Sequence, residues 1–228
     1  MYFQPHHIEK LRDGYLRIDS DYERLLSSYL TLQLTNPDAY EYVRHGFVRR
    51  IGTLKRCIEN VYSIYSPERS DKPSRNECVD LAINLQSFIF NVFGCIDNLA
   101  WIWVKEKDVK DTRGRSLRDQ QVGLRAGCTV VRETFSYVAP YTLNPAKLDE
   151  HSELETRKQE AHRQHDFDLW LQLDTEQEKL GTFTPWMMHS FSEGATPVVF
   201  HFQLLADWNT VVEMADQFRA ELETRYSL

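Results

Sequence analysis

The feature that most constrains this chain is one long helical pattern. Ser74-Arg75-Asn76-Glu77 forms a capping box, in which a serine hydroxyl and a glutamate carboxylate satisfy each other's backbone donors. From there the pattern runs to about Lys107, roughly 50 Å at 1.5 Å per residue. Leu81, Leu85, Phe88, Val92, Ile96, Leu99 and Trp103 recur at spacings of three and four, which makes one side of it core. An element of that length is the spine of whatever fold forms around it.

Three further stripes supply partners for the spine. Ile8, Leu11, Tyr15, Ile18, Tyr22, Leu25, Tyr29 and Leu32 give a first helix over about 6–33. Asn36-Pro37 is an N-cap followed by proline at the first helical position; Phe47, Ile51, Leu54, Ile58 and Val61 continue that helix to about 65, and Ser66-Pro67 ends it. Thr196-Pro197 opens a last helix over 197–225, with Leu204, Trp208, Val211, Ala215, Phe218 and Leu222 on one side. Helix-on-helix packing buries four such stripes, so the fold class is all-α: a helical bundle with one long central helix. Residues 108–196 form an irregular, partly helical insertion, with a polar helix expected from about Asp149 to Leu173. At 228 residues and 42% hydrophobic content, without a low-complexity linker, residues 1–228 make a single domain.

Charge and cysteine usage narrow the functional classes. The formal charge of -7 gives no general attraction for nucleic acid, so such contact would need a local basic patch. Cys57, Cys78, Cys95 and Cys128 are scattered, with no close pair of the kind that holds zinc or forms a redox couple, and the opening MYFQPHHIEKLRD has no apolar leader core. Asp97 and the polar positions flanking it argue against a membrane span over 90–106. The expected location is the cytoplasm. The tyrosine-rich seam of the first helix suits a homodimer contact.

Asp80, Asn84, Ser87, Asn91, Gly94 and Asn98 share one face of the spine, small and mostly uncharged. Such a face suits either a close helix contact or the wall of a polar cleft. On the second helix, His45, Arg49, Thr53, Arg56 and Asn60 form a basic face, with Arg50 and Lys55 adding charge. If the two faces meet, they line an anion-binding groove, and its candidate ligand-binding residues are Arg49, Arg56, Asn91, Asp97, Asn98 and Arg132. The plainer alternative makes the asparagines interhelical glue and the arginines solvated surface. Asp97, flanked by Phe90, Phe93, Trp101 and Val104, is expected to be buried and to accept from Arg49, Arg56 or Arg132.

Catalytic signatures are missing. There is no glycine-rich phosphate loop after a strand and no serine or cysteine nucleophile motif, so no catalytic residue is assigned. His162, His165, Asp166 and Glu160 lie on adjacent turns but lack a further ligand from another element, and His201 reads as a packed core histidine. No metal and no cofactor is expected.

The segments IDNLAWIWVKE, VRETFS, APYTLNPA, FTPWMMHSF and VVFHFQLLADWNTVVEM, taken together, resemble a group of bacterial helical proteins of the HEPN-like superfamily. The resemblance covers most of the chain from the spine onward. It implies an RNA- or nucleotide-binding protein, in which two protomers pair arginine-histidine motifs into a metal-independent ribonuclease site. In that group the motif is expected just before the PYTLNP-like segment, whereas here VRETFS runs almost directly into YVAPYTLNP. Arg157 and His162 have a comparable spacing but lie after that segment, with Lys158 following the arginine, and pairs so spaced are expected by chance in a chain of this composition. The resemblance therefore implies a degenerate ribonuclease, or a motif on a segment missing between Ser136 and Pro140. The alternative from a different class is a helical protein-interaction or scaffold protein.

Overall fold

The computed structural model describes residues 3, 5–124, 127–138, 169–172, 186–189 and 198–223. They are mostly helical, arranged as a bundle around one long helix. The helices are α1 (Pro5–Leu30), α2 (Pro37–Glu41), a π segment (Tyr42–Phe47), α3 (Val48–Ile64), α4 (Arg75–Glu106), α5 (Thr129–Val138) and α6 (Phe200–Glu223). α4 is the spine, and α3, the π segment and α6 pack on it, while α1 lies against α3 and α6.

The caps form as the sequence dictates. Asn36 Oδ1 accepts from the amides of Asp38 and Ala39, with Pro37 at the first helical position. At α4, Glu77 N donates to the Ser74 hydroxyl, and Ser74 N donates to the Glu77 carboxylate. A buried carboxylate ties the two helix ends together: Glu106 accepts from Thr35 N, the Thr35 hydroxyl and Asn36 N at 2.8 to 3.1 Å. Those contacts hold the α1–α2 turn against the last turn of the spine.

The core is continuous. Trp103, Trp208, Tyr29, Phe47, Phe88, Phe200 and Phe218 are fully buried, and the Tyr29 hydroxyl donates to the Ala215 carbonyl at 2.7 Å. α4 has the length and apolar composition of a membrane-crossing helix, but Leu81, Leu85, Phe88, Val92, Ile96, Leu99 and Trp103 lie inside this core. The seam of α1 is also occupied within the protomer. Ile8, Leu11, Ile18, Leu25 and Tyr29 are buried, so that stripe is not a free dimer face.

Two local expectations are corrected. The polar helix over 149–173 lies outside the described residues except at Leu169–Gln172, which is strand β1. β1 pairs antiparallel with β2 (Trp186–His189), and β2 pairs with β3 (Val198–Val199), which leads directly into α6. A four-residue apolar run cannot be assigned by periodicity alone, and here its backbone groups are paired by β2. The final helix begins at Phe200 and not at residue 197, because Val198 and Val199, stiff at their branched β-carbons, extend into the sheet.

Candidate functional site

The asparagine face of α4 turns toward α3 and the π segment. Asn84, Asn91 and Asn98, seven residues apart, each donate from Nδ2 to the carbonyl four residues earlier: Asp80 O at 2.8 Å, Ser87 O at 2.8 Å and Gly94 O at 2.5 Å. Each amide is thereby held against its own helix. For the first two, Oδ1 takes a donor across the seam, from Asn60 Nδ2 to Asn84 at 2.9 Å and from Arg50 Nη1 to Asn91 at 3.2 Å. The third oxygen, on buried Asn98, faces Gly46 so closely that a Cβ there would overlap it. Gly94 serves the same purpose on α4, since a Cβ on it would enter the Arg50 guanidinium.

Between these rungs burial pushes the Cys57 thiol's pKa up, offset in part by the nearby Ser87 hydroxyl. Burial likewise raises Cys95, whose thiol lies within the field of Arg50. Neither is a reactive thiolate. The four cysteines are free, as an absence of close pairs implies.

Of the six sequence-derived ligand residues, two lie on the surface and two in the helix-packing seam. Arg49 is exposed, with no ion pair among the described residues, and Arg56 is exposed and donates to Glu59 at 3.1 Å. Neither pairs with Asp97. Asp97 is half-buried, not buried as its aromatic neighbours implied. Arg132, on α5, is half-buried as well. Asn91 and Asn98 sit in the packing seam.

The arginine that reaches the seam is Arg50, one position from the one the basic face offered. Residues 49, 53, 56 and 60 centre about one residue step, or 100°, away from Arg50 and Cys57. A helical wheel marks the apolar stripe but not how wide an arc the neighbour covers. The informative signal was the pair of glycines: Gly46 and Gly94 stand inside helices, where glycine costs about 1 kcal/mol, and each marks a close approach.

His201 is fully buried on α6, as expected. Its Nε2–H donates to the Tyr65 carbonyl at 2.7 Å, while Nδ1 is buried without a partner among the described residues; burial lowers the ring's pKa to about 4. No group of three or more metal-ligating side chains occurs among the described residues. The cluster of Glu160, His162, His165 and Asp166, the Arg157–His162 pair and the PYTLNP segment all lie outside them.

Elsewhere the surface is indented. A cleft of about 810 Å³ runs between α1 and α6, lined by Lys10, Asp13, Leu16, Arg17, Phe202 and Leu205 among others. Leu16 is 66% exposed and Phe202 38%. No protein-family profile, curated protein or solved structure matches the chain.

Proposed function

We propose that this protein is a helical interaction or scaffold protein that pairs with a second copy through its α1–α6 face. The observation that carries this reading is the juxtaposition of Leu16 and Phe202 along one cleft, since neighbouring exposed apolar side chains are what an interface covers. Lys10 and Arg17 flank them without ion pairs among the described residues, beside Asp13, so the rim offers both charge signs to a self-complementary contact. The asparagine seam supports the same reading at Asn91 and Asn98, whose amides are engaged in helix packing, while a cavity of about 170 Å³ opens beside Asn60 and Asn84.

Sedimentation of the wild-type chain and of Leu16→Glu across a concentration series tests this. A concentration-dependent dimer that the variant loses is the expected result. A wild type that stays monomeric at high concentration sinks it.

A second reading, HEPN-like RNA or nucleotide binding with a degenerate ribonuclease site, rests on a different observation. Arg44 and Arg49 are exposed on the outer side of the second helical segment, Arg44 stacked on Tyr40 at 4.7 Å, in a chain of net charge -7. Titration with short RNAs and mononucleotides at rising salt tests it, because phosphate contacts weaken as counterions compete. Arg49→Glu should then reduce binding, and an absence of saturable binding at low salt removes this reading.

A further inference from the structure

A separate cavity, of about 270 Å³, opens between α1, the end of α3 and the turn after it. Arg12 and Tyr15 contribute from α1, Glu59, Tyr62 and Ser63 from α3, and Glu68 from the turn. The Tyr15 and Tyr62 rings stack with centroids 4.5 Å apart and planes 18° apart, which fixes the tyrosine wall. On that wall the Tyr62 hydroxyl is buried and has no hydrogen-bond partner among the described residues. An orphan hydroxyl beside a cavity is a group waiting for a donor or an acceptor.

The charges around it decide which. Arg12, the guanidinium on the lining, is already held by Glu68, Nη2 to Oε1 at 3.2 Å, so an anion would have to displace a carboxylate. Glu59, also on the lining, is bonded to Lys55 and Arg56. Both phenols are raised, chiefly by burial: Glu59 and Asp19 add to this at Tyr15 against the opposing charge of Lys55, and Tyr15 and Glu68 add to it at Tyr62. A neutral apolar molecule would leave the Tyr62 hydroxyl desolvated with no partner among the described residues.

We infer that this cavity binds a small organic cation carrying a primary ammonium group. An ammonium has three donors and no acceptor, which matches the Tyr62 oxygen and the Glu68 carboxylate, and its charge is favoured near tyrosine ring faces. The cavity does not depend on self-association, since its residues are separate from Leu16 and Phe202.

Calorimetric titration of the full chain with putrescine and spermidine tests the inference, with acetate and phosphate as anionic counterparts at matched ionic strength. Saturable diamine binding is expected, weakened about tenfold in Glu68→Gln, where a charge-assisted contact is lost. Tyr62→Phe should weaken it several-fold while leaving the melting temperature unchanged, because no group among the described residues bonds that hydroxyl. The second variant keeps the test decisive if loss of the Arg12 contact disturbs the fold of the first. Absence of saturable diamine binding, equal binding by wild type and Tyr62→Phe, or tighter binding of acetate or phosphate would each overturn it.

Discussion

Arg50 donates from Nη1 to Asn91 Oδ1 at 3.2 Å, and its guanidinium occupies the space a Cβ on Gly94 would need. One arginine thus couples an acceptor and a missing side chain on the same face of α4. Asn91→Leu removes the acceptor and leaves a half-buried guanidinium donor unmatched, which should cost about 1–3 kcal/mol. Urea unfolding with an unchanged denaturant slope reads the change as stability alone. A variant as stable as wild type would show that Arg50 finds its partner elsewhere.

The two glycines of the seam should respond unequally to alanine. At Gly94 the obstruction is the far end of a flexible arginine, which can swing out, so the gain in helix propensity of about 1 kcal/mol offsets much of the loss. At Gly46 the obstruction is the short, buried amide of Asn98, already bonded to Gly94 O. Gly46→Ala should therefore destabilise more than Gly94→Ala, by about 1–3 kcal/mol of overpacking. Parallel chemical denaturation of the two variants checks the order.

Glu106 should be among the most sensitive charged positions. Glu106→Gln retains the size but puts an NH2 group against donors from Thr35 and Asn36, at an expected cost of about 2 kcal/mol. Hydrogen exchange provides a local readout, with the Thr35 and Asn36 amides losing protection before the core of α4 does.

His201 predicts an acid-side loss of stability. Its folded pKa is near 4 against an ordinary 6.5, so between those values the unfolded chain binds a proton that the fold refuses. Its contribution is intact above pH 6.5 and falls away as the pH drops toward 4, in all by roughly 3 kcal/mol at 1.36 kcal/mol per unit. Denaturation at pH 7, 5.5 and 4.5 should show this slope in wild type and a flatter one in His201→Phe. Equal slopes would assign the acid sensitivity to other groups.

Much of the bundle was legible because its signals are local. A serine-glutamate pair three residues apart and an asparagine before a proline act on neighbouring backbone, whatever the rest of the chain does. The asparagine face was legible as a face, since a helix alone sets its spacing. Which neighbour it meets was not, and Arg49 and Arg50 differ only by the arc that α4 happens to cover. The burial of Asp97 was overread for a related reason: aromatic neighbours along a helix surround a side chain in the wheel, yet how much solvent reaches it is decided by the packing. The strands at Leu169–Gln172 and Trp186–His189 depend on each other across the chain, and neither four-residue segment carries a period long enough to read alone.

The π segment at Tyr42–Phe47 bears on how the length of this chain can vary. Such a turn holds one residue more than the α-helical turn it replaces. Arg44 and His45 within it are exposed, so losing either converts the segment to ordinary α-helix and leaves the flanking faces in phase. In the middle of α3 the same loss would rotate everything beyond it by about 100° and carry Asn60 away from Asn84. The turn beside Asn98 is thus a point of slack, where a one-residue deletion can be absorbed while the asparagine ladder keeps its register.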